Sequence, residues 1–174
     1  MTKSAVSLAP DLAEAHQALG LAMHISLRLE DAIASYKRAI ELNPNLKAAQ
    51  RSLADLHRAF GRAEEALAIY RQFLAADAKD KAARAGVVLS LLDLGRTDEA
   101  RNELEAALKA DPANLVLLAG AAYWFAAHND HQMALELGSK ALAIEPRYTW
   151  AQIALARALV NTNRPLDAER ALRY

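Results

Sequence analysis

Histidines and carboxylates are the side chains that could carry chemistry in this sequence, since its 174 residues include five histidines and no cysteine. His128 and His131 flank Asp130 at a spacing that a metal site can use. A zinc ion needs three or four protein ligands, and no further histidine lies near this pair in sequence. The two are therefore expected as solvated turn residues. His16, His24 and His57 lie on amphipathic stretches, and His57 is expected as a packed core or rim residue. No phosphate loop, nucleophile elbow or metalloprotease motif is present. Without cysteine there is neither a disulfide framework nor a thiol nucleophile, which fits a reducing, cytoplasmic compartment. The expectation is a non-enzyme with no catalytic residue, no cofactor and no metal.

Composition narrows the partners. Lys plus Arg number 21, Asp plus Glu number 21, and the formal net charge is zero. Nonspecific binding to nucleic acid or to an anionic membrane needs a basic excess, so neither is expected. No apolar run is long enough for a membrane span, and the first residues lack a signal-peptide core. Alanine and leucine dominate the apolar residues, and both are strong helix formers. Charged runs such as Arg62 to Glu65 read as solvated helix starts.

These residues sit on a repeating element. Ala13 to Leu46 reads as one helix–turn–helix unit, and its pattern returns every 34 residues. Ala32 recurs as Ala66, Ala100, Ala134 and Ala168; Pro10 recurs as Pro44, Pro112 and Pro146, with Ala78 breaking the series. A fixed period in this range means stacked supersecondary units. Within each unit, apolar spacing at i, i+3, i+4 and i+7 predicts two helices. The predicted spans are about 11–26 and 30–42, 46–60 and up to 76, 81–94 and 97–110, 114–127 and 131–144, then 148–161 and a last helix from Pro165. Proline ends the second helix of a unit. Gly61 and Gly95 stand where the inner turn needs a positive φ, with Asn129 at the equivalent place. The whole chain is one array: a partial repeat at 1–12, repeats at 13–46, 47–80, 81–114 and 115–148, and an incomplete repeat at 149–174.

The unit resembles the tetratricopeptide repeat. With Ala13 as position 1, position 7 carries Leu19, Leu53, Val87, Ala121 and Leu155. Position 8 carries Gly20, Ala54, Val88, Ala122 and Ala156, and position 24 carries Tyr36, Tyr70, Leu104, Gly138 and Leu172. The resemblance implies an all-α, right-handed α-solenoid of about five repeats. It also implies a protein–protein interaction module that binds a peptide or protein segment in a concave groove. In this family positions 2, 5, 9, 12 and 13 of the first helices line that groove. Here those positions include Gln17, Leu21, His24, Arg51, Asp55, Arg58, Leu89, Tyr123, Trp150, Ile153 and Arg157. The groove is thus expected to be polar and mixed in sign early, and aromatic and aliphatic late. The carboxylate clamp of the family's chaperone-tail binders is absent, since its positions read Gln17/Leu21 and Arg51/Asp55. So is the asparagine ladder of O-GlcNAc transferases, because position 6 reads Ala18, Ser52, Gly86, Gly120 and Ala154. Two other readings stand beside the binding module: the substrate-recruiting arm of a larger enzyme of glycosyl- or sulfotransferase type, and a self-associating scaffold.

Four finer expectations follow. Alanine at position 20 lets the two helices of a unit approach closely. Trp124 or Phe125 fills the space over Gly138. Tyr123 meets Arg157, because both occupy position 9 of neighbouring first helices. Both ends of the chain cut through a repeat, since Lys3 to Pro10 matches Lys37 to Pro44. The last helix should then leave Ala168, Ala171 and Leu172 uncovered and favour end-to-end association or fraying.

Overall fold

A computed structural model describes residues 11–173. The stretch from Lys3 to Pro10 and the terminal Tyr174 lie outside the described residues. Among those described there are ten α-helices and no strand: α1 Ala13–Ile25, α2 Leu29–Leu42, α3 Lys47–Ala59, α4 Ala63–Ala76, α5 Lys81–Asp93, α6 Thr97–Ala110, α7 Leu115–Ala127, α8 His131–Ile144, α9 Thr149–Asn161 and α10 Pro165–Ala171. Odd-numbered helices are the first of each pair. Two predicted spans, 97–110 and 131–144, coincide with α6 and α8. None of the described helices is long and apolar enough to cross a membrane.

The repeat is written into the turns. Leu27, Gly61, Gly95, Asn129 and Asn163 all have φ between 56° and 72°, at intervals of 34 residues. Each ends a first helix in the left-handed conformation, and the next residue's N–H reaches back five residues in the Schellman pattern. Arg28 donates to the Met23 carbonyl at 2.8 Å, Arg62 to His57 at 2.8 Å, Arg96 to Leu91 at 2.9 Å, Asp130 to Phe125 at 3.0 Å and Arg164 to Leu159 at 2.8 Å. The turns between pairs repeat as well. The side chains of Asn43, Asp77 and Glu145 accept from the backbone N–H two residues on, at 3.0, 2.9 and 3.1 Å. Gln50 and Gln152 then donate to the carbonyls of Pro44 and Pro146. At the turn where Ala78 replaces proline, the Arg84 guanidinium donates to the Ala78 carbonyl. Arg84 thus makes at that turn the contact that Gln50 and Gln152 make at theirs.

The chain divides into two compact units, Met1–Gln72 and Phe73–Tyr174. In the first, α2 packs on α1 and α3. Tyr36, Ile33, Leu53, Leu56 and Met23 form its core with Ala32, Ala39 and Ala49. Gly20 is required by Tyr36: a Cβ there would stand 2.7 Å from the phenol ring. His57 is buried, at 5% exposure, as its apolar register implies.

In the second unit α7 packs on α5, α8 and α9. It is accordingly apolar nearly all round, with Leu117, Leu118 and Phe125 fully buried. The position-20 alanines Ala100 and Ala134 have no exposed surface, so a larger side chain there would overpack the crossing. The space over Gly138 is filled differently from expectation. Leu155 of α9 lies there, 3.5 Å from where a Cβ would stand. Trp124 instead stacks on His128 at 3.7 Å between ring centroids, and Phe125 lies beneath the Arg101 guanidinium. Sequence proximity favours one of these aromatics, but the helix one repeat further on reaches the gap first. The last helix also departs from expectation in part. Ala168 is buried against Ala156 and Leu159 of α9, while Leu172 remains half exposed.

Candidate functional site

In the second unit the exposed apolar side chains of the first helices fall on stripes. On α7 these are Val116 and Tyr123, one heptad apart; on α9 they are Trp150, Ile153 and Val160. Trp150 is 57% exposed, although burying its ring would be worth more than burying any other side chain here. Its ring meets Tyr123 edge-to-face, with centroids 5.6 Å apart and planes at 86°. Such a pair contributes roughly 0.5–1.5 kcal/mol beyond area burial. Arg157 is exposed on the same stripe of α9. Helix α7 carries no ionised side chain, and Arg157 is the only one on α9.

The expected meeting of Tyr123 with Arg157 does not occur; Trp150 takes that place. Repeat position counts residues along the chain and does not report the stagger between neighbouring helices. Here position 9 of α7 meets position 2 of α9. Leu89, also expected to line the groove, is only 8% exposed. It packs over Gly120 of α7, where an added Cβ would stand 2.9 Å from its Cδ1 atom.

In the first unit the expected residues are polar and partly engaged. Leu21 is exposed on α1, with Gln17 and His24 half-buried beside it in register. On α3, Asp55 is exposed while Arg51 and Arg58 are half-buried. The Tyr70 hydroxyl donates to the Asp55 carboxylate. Burial first, and then the charge of Asp55, holds the Tyr70 hydroxyl well above its ordinary range, against the opposing Arg58 and Arg51. Sequence reading missed this tie. Its signal was present: Tyr70 at position 24 follows a carboxylate at position 9 of the helix before it.

No cluster of three metal-type side chains occurs among the described residues. His128 stacks on Trp124 and its Nδ1 lies 2.8 Å from the Trp124 carbonyl, whereas His131 opens α8. The two do not form a site. An open groove of about 630 Å³ lies between the second helices α6 and α8, floored by Leu104, Leu108, Met133 and Leu137. It lies between second helices, whereas the aromatic pair belongs to first helices. An exposed tryptophan is harder to explain by packing than a shallow gap between helices.

The turn pattern and the helix pairs define a helical-repeat protein. The chain belongs to the tetratricopeptide repeat family, whose profile matches residues 26–81 and 88–148, with a second profile of the same family matching 125–173. No match is found among curated proteins. Among solved structures, a tetratricopeptide repeat protein from Parabacteroides merdae is similar over 98% of this chain and 68% of its own, at 17% identity and a TM-score of 0.72. The Cut9–Hcn1 hetero-tetramer of the APC/C matches at 17% identity and a TM-score of 0.75. This chain is covered to 98% there but spans only 34% of the chain it matches. YrrB, described as a repeat protein with an unusual peptide-binding site, matches over 98% of this chain and 88% of its own, at 16% identity and a TM-score of 0.59. At these identities the likeness is one of fold.

Proposed function

We propose that this chain binds a protein segment on the open first-helix face of its second unit, with Tyr123, Trp150, Ile153 and Arg157 at the centre of the contact. What carries this reading is the exposed Tyr123–Trp150 pair beside Ile153 and an unburied guanidinium. Tryptophan, tyrosine and arginine are the residues most enriched at binding hot spots. The edge-to-face contact restricts both rings before binding, which lowers the side-chain entropy lost on association. In the first unit, taken by itself, the first-helix residues Gln17, Leu21, His24, Arg51, Asp55 and Arg58 offer a mostly polar face of lower contact energy in this reading. YrrB, similar in fold, is described as having an unusual peptide-binding site, which lends support to this reading.

The test is to replace Ile153 by a photo-crosslinking amino acid, identify the protein captured, and measure its affinity for the intact chain and for Trp150→Ala. Binding should weaken by about 2 kcal/mol or more, with the melting midpoint nearly unchanged. A variant that melts much earlier yet binds its partner equally well makes Trp150 a packing residue and removes the proposal.

A further inference from the structure

We infer that the partner segment seated on α9 is itself a helix, with an apolar seam matching Trp150, Ile153 and Val160 and a carboxylate set against Arg157. This rests on the binding face proposed above and names the chemistry of what it takes.

The first ground is spacing. The exposed residues Trp150, Ile153, Arg157 and Val160 are separated by three, four and three residues. That is the alternation along the seam of two packed helices. They cover about 15 Å of α9 at 1.5 Å per residue, or roughly three turns. Successive seam residues therefore lie about 4.5–6 Å apart along the axis. A second helix offers side chains at the same interval. An extended peptide repeats its same-side residues about every 6.6–6.8 Å, and so falls out of step within two contacts.

The second ground is charge. Helix α7 carries no ionised side chain and α9 carries only Arg157. Arg157 has no ion-pair partner among the described residues. A guanidinium covered by an apolar helix would lose its water without compensation, which disfavours such a partner. A carboxylate opposite it restores a charge-assisted, two-pronged hydrogen bond. A single polar position in an otherwise apolar seam also sets register.

The same residues argue against a second copy of this chain as the occupant. Two α9 helices packed antiparallel about a two-fold axis at the middle of the seam would set Arg157 against Ile153 and Trp150 against Val160. Packed parallel and in register, they would set Arg157 against Arg157. Each arrangement buries a cation without a partner. A partner protein supplying an acidic, amphipathic helix satisfies both grounds.

The experiment uses the full chain and three synthetic, dye-labelled peptides of about four turns. One is a hydrocarbon-stapled helix with leucine along its seam and glutamate at the position facing Arg157. The second has lysine in place of that glutamate. The third is the glutamate sequence without the staple and with proline at its centre. Binding is read by fluorescence anisotropy and by the Trp150 indole resonance. The glutamate helix should shift that resonance and bind about tenfold tighter than the lysine helix. Arg157→Glu should invert this preference, and Trp150→Ala should weaken the glutamate helix by at least about tenfold. Both side chains are exposed, and circular dichroism of each variant checks its helix content. Ile153→Asp is a third variant of the same seam and should lose binding alike. Failure of the glutamate helix to shift the Trp150 resonance overturns the inference. So does equal binding of the two charged helices, or a Trp150-dependent dimer of the chain in sedimentation. Equal binding of the proline peptide, still sensitive to Trp150→Ala, overturns the helical partner while leaving the binding face in place.

Discussion

Leu27 holds a backbone conformation that leucine disfavours. Its φ of 56° matches that of Gly61, Gly95, Asn129 and Asn163 at the same place in each unit. Glycine adopts this region freely and asparagine tolerates it, but another L-residue pays about 1–2 kcal/mol. Leu27 is also 80% exposed, so its side chain contributes little by burial. Leu27→Gly should raise stability by about 0.5–1 kcal/mol, after the greater flexibility of glycine in the unfolded chain is subtracted. A higher urea midpoint at unchanged slope would register the gain; an unchanged or lower midpoint means that the turn is not left-handed in solution. The glycine and asparagine turns were legible from residue type alone, whereas Leu27 was legible only through the repeat. His57 gives a second test at this scale. Burial lowers its pKa from the ordinary 6.5, with Lys37 and Arg62 adding to the effect and Glu65 and Glu30 opposing it. The unfolded chain therefore takes up the proton first as pH falls. The first unit should keep the full contribution of neutral His57 above pH 6.5 and lose it progressively below that value. His57→Phe should abolish this part of the slope, measured as urea midpoints across the acid range.

At the scale of helices, two glycines on equivalent-looking faces answer to different neighbours. Gly20 on α1 lies under the Tyr36 ring of α2, which a Cβ would meet at 2.7 Å. The ring is buried and cannot swing away. Gly138 on α8 faces Leu155 at 3.5 Å, an ordinary contact. Gly20→Ala should therefore destabilise by about 1–3 kcal/mol. Gly138→Ala should stabilise by about 0.5–1 kcal/mol, since alanine is the better helix former and its Cβ would meet only ordinary van der Waals contacts. Thermal melts of the two variants, with opposite signs of shift, check both. Helix spans were legible because proline, glycine and asparagine punctuate a strong period. Which side chains meet between helices was less so. Leu155 over Gly138, Leu89 over Gly120 and Trp150 against Tyr123 all depend on stagger and tilt between helices. Those follow from three-dimensional packing and leave no mark in the spacing of residues along one helix.

Across the whole molecule charge is balanced, and it is spent locally. Lys plus Arg and Asp plus Glu both number 21. Several ion pairs lie within one turn of helix, among them Arg28–Asp31, Arg38–Glu41, Arg96–Glu99, Lys140–Glu136 and Arg164–Asp167. Their side chains are at least 38% exposed. Pairs of this kind contribute about 0.3–0.5 kcal/mol each and are screened by salt. Long-range repulsion is small as well, because the net charge is zero. Raising sodium chloride from about 0.02 M to 0.5 M shrinks the screening length from roughly 20 Å to about 4 Å. It weakens these attractions and the scattered like-charge repulsions together. The melting midpoint should move by less than about 3 °C, since 1 kcal/mol corresponds to roughly 2–4 °C for a domain of this length. One pair should stand apart. Asp130 receives the Arg101 guanidinium at 2.5 Å, and its other carboxylate oxygen caps α8 by accepting the Met133 N–H at 3.2 Å. Arg101 also lies 5.1 Å above the Phe125 ring. Asp130→Ala removes the cap and the ion pair together, so it should cost about 1 kcal/mol or more and largely keep that cost in high salt. A cost that vanishes at 0.5 M salt would mean that the cap contributes nothing. A shift of the parent midpoint well beyond 3 °C would mean that its charges act over longer range than these local pairs.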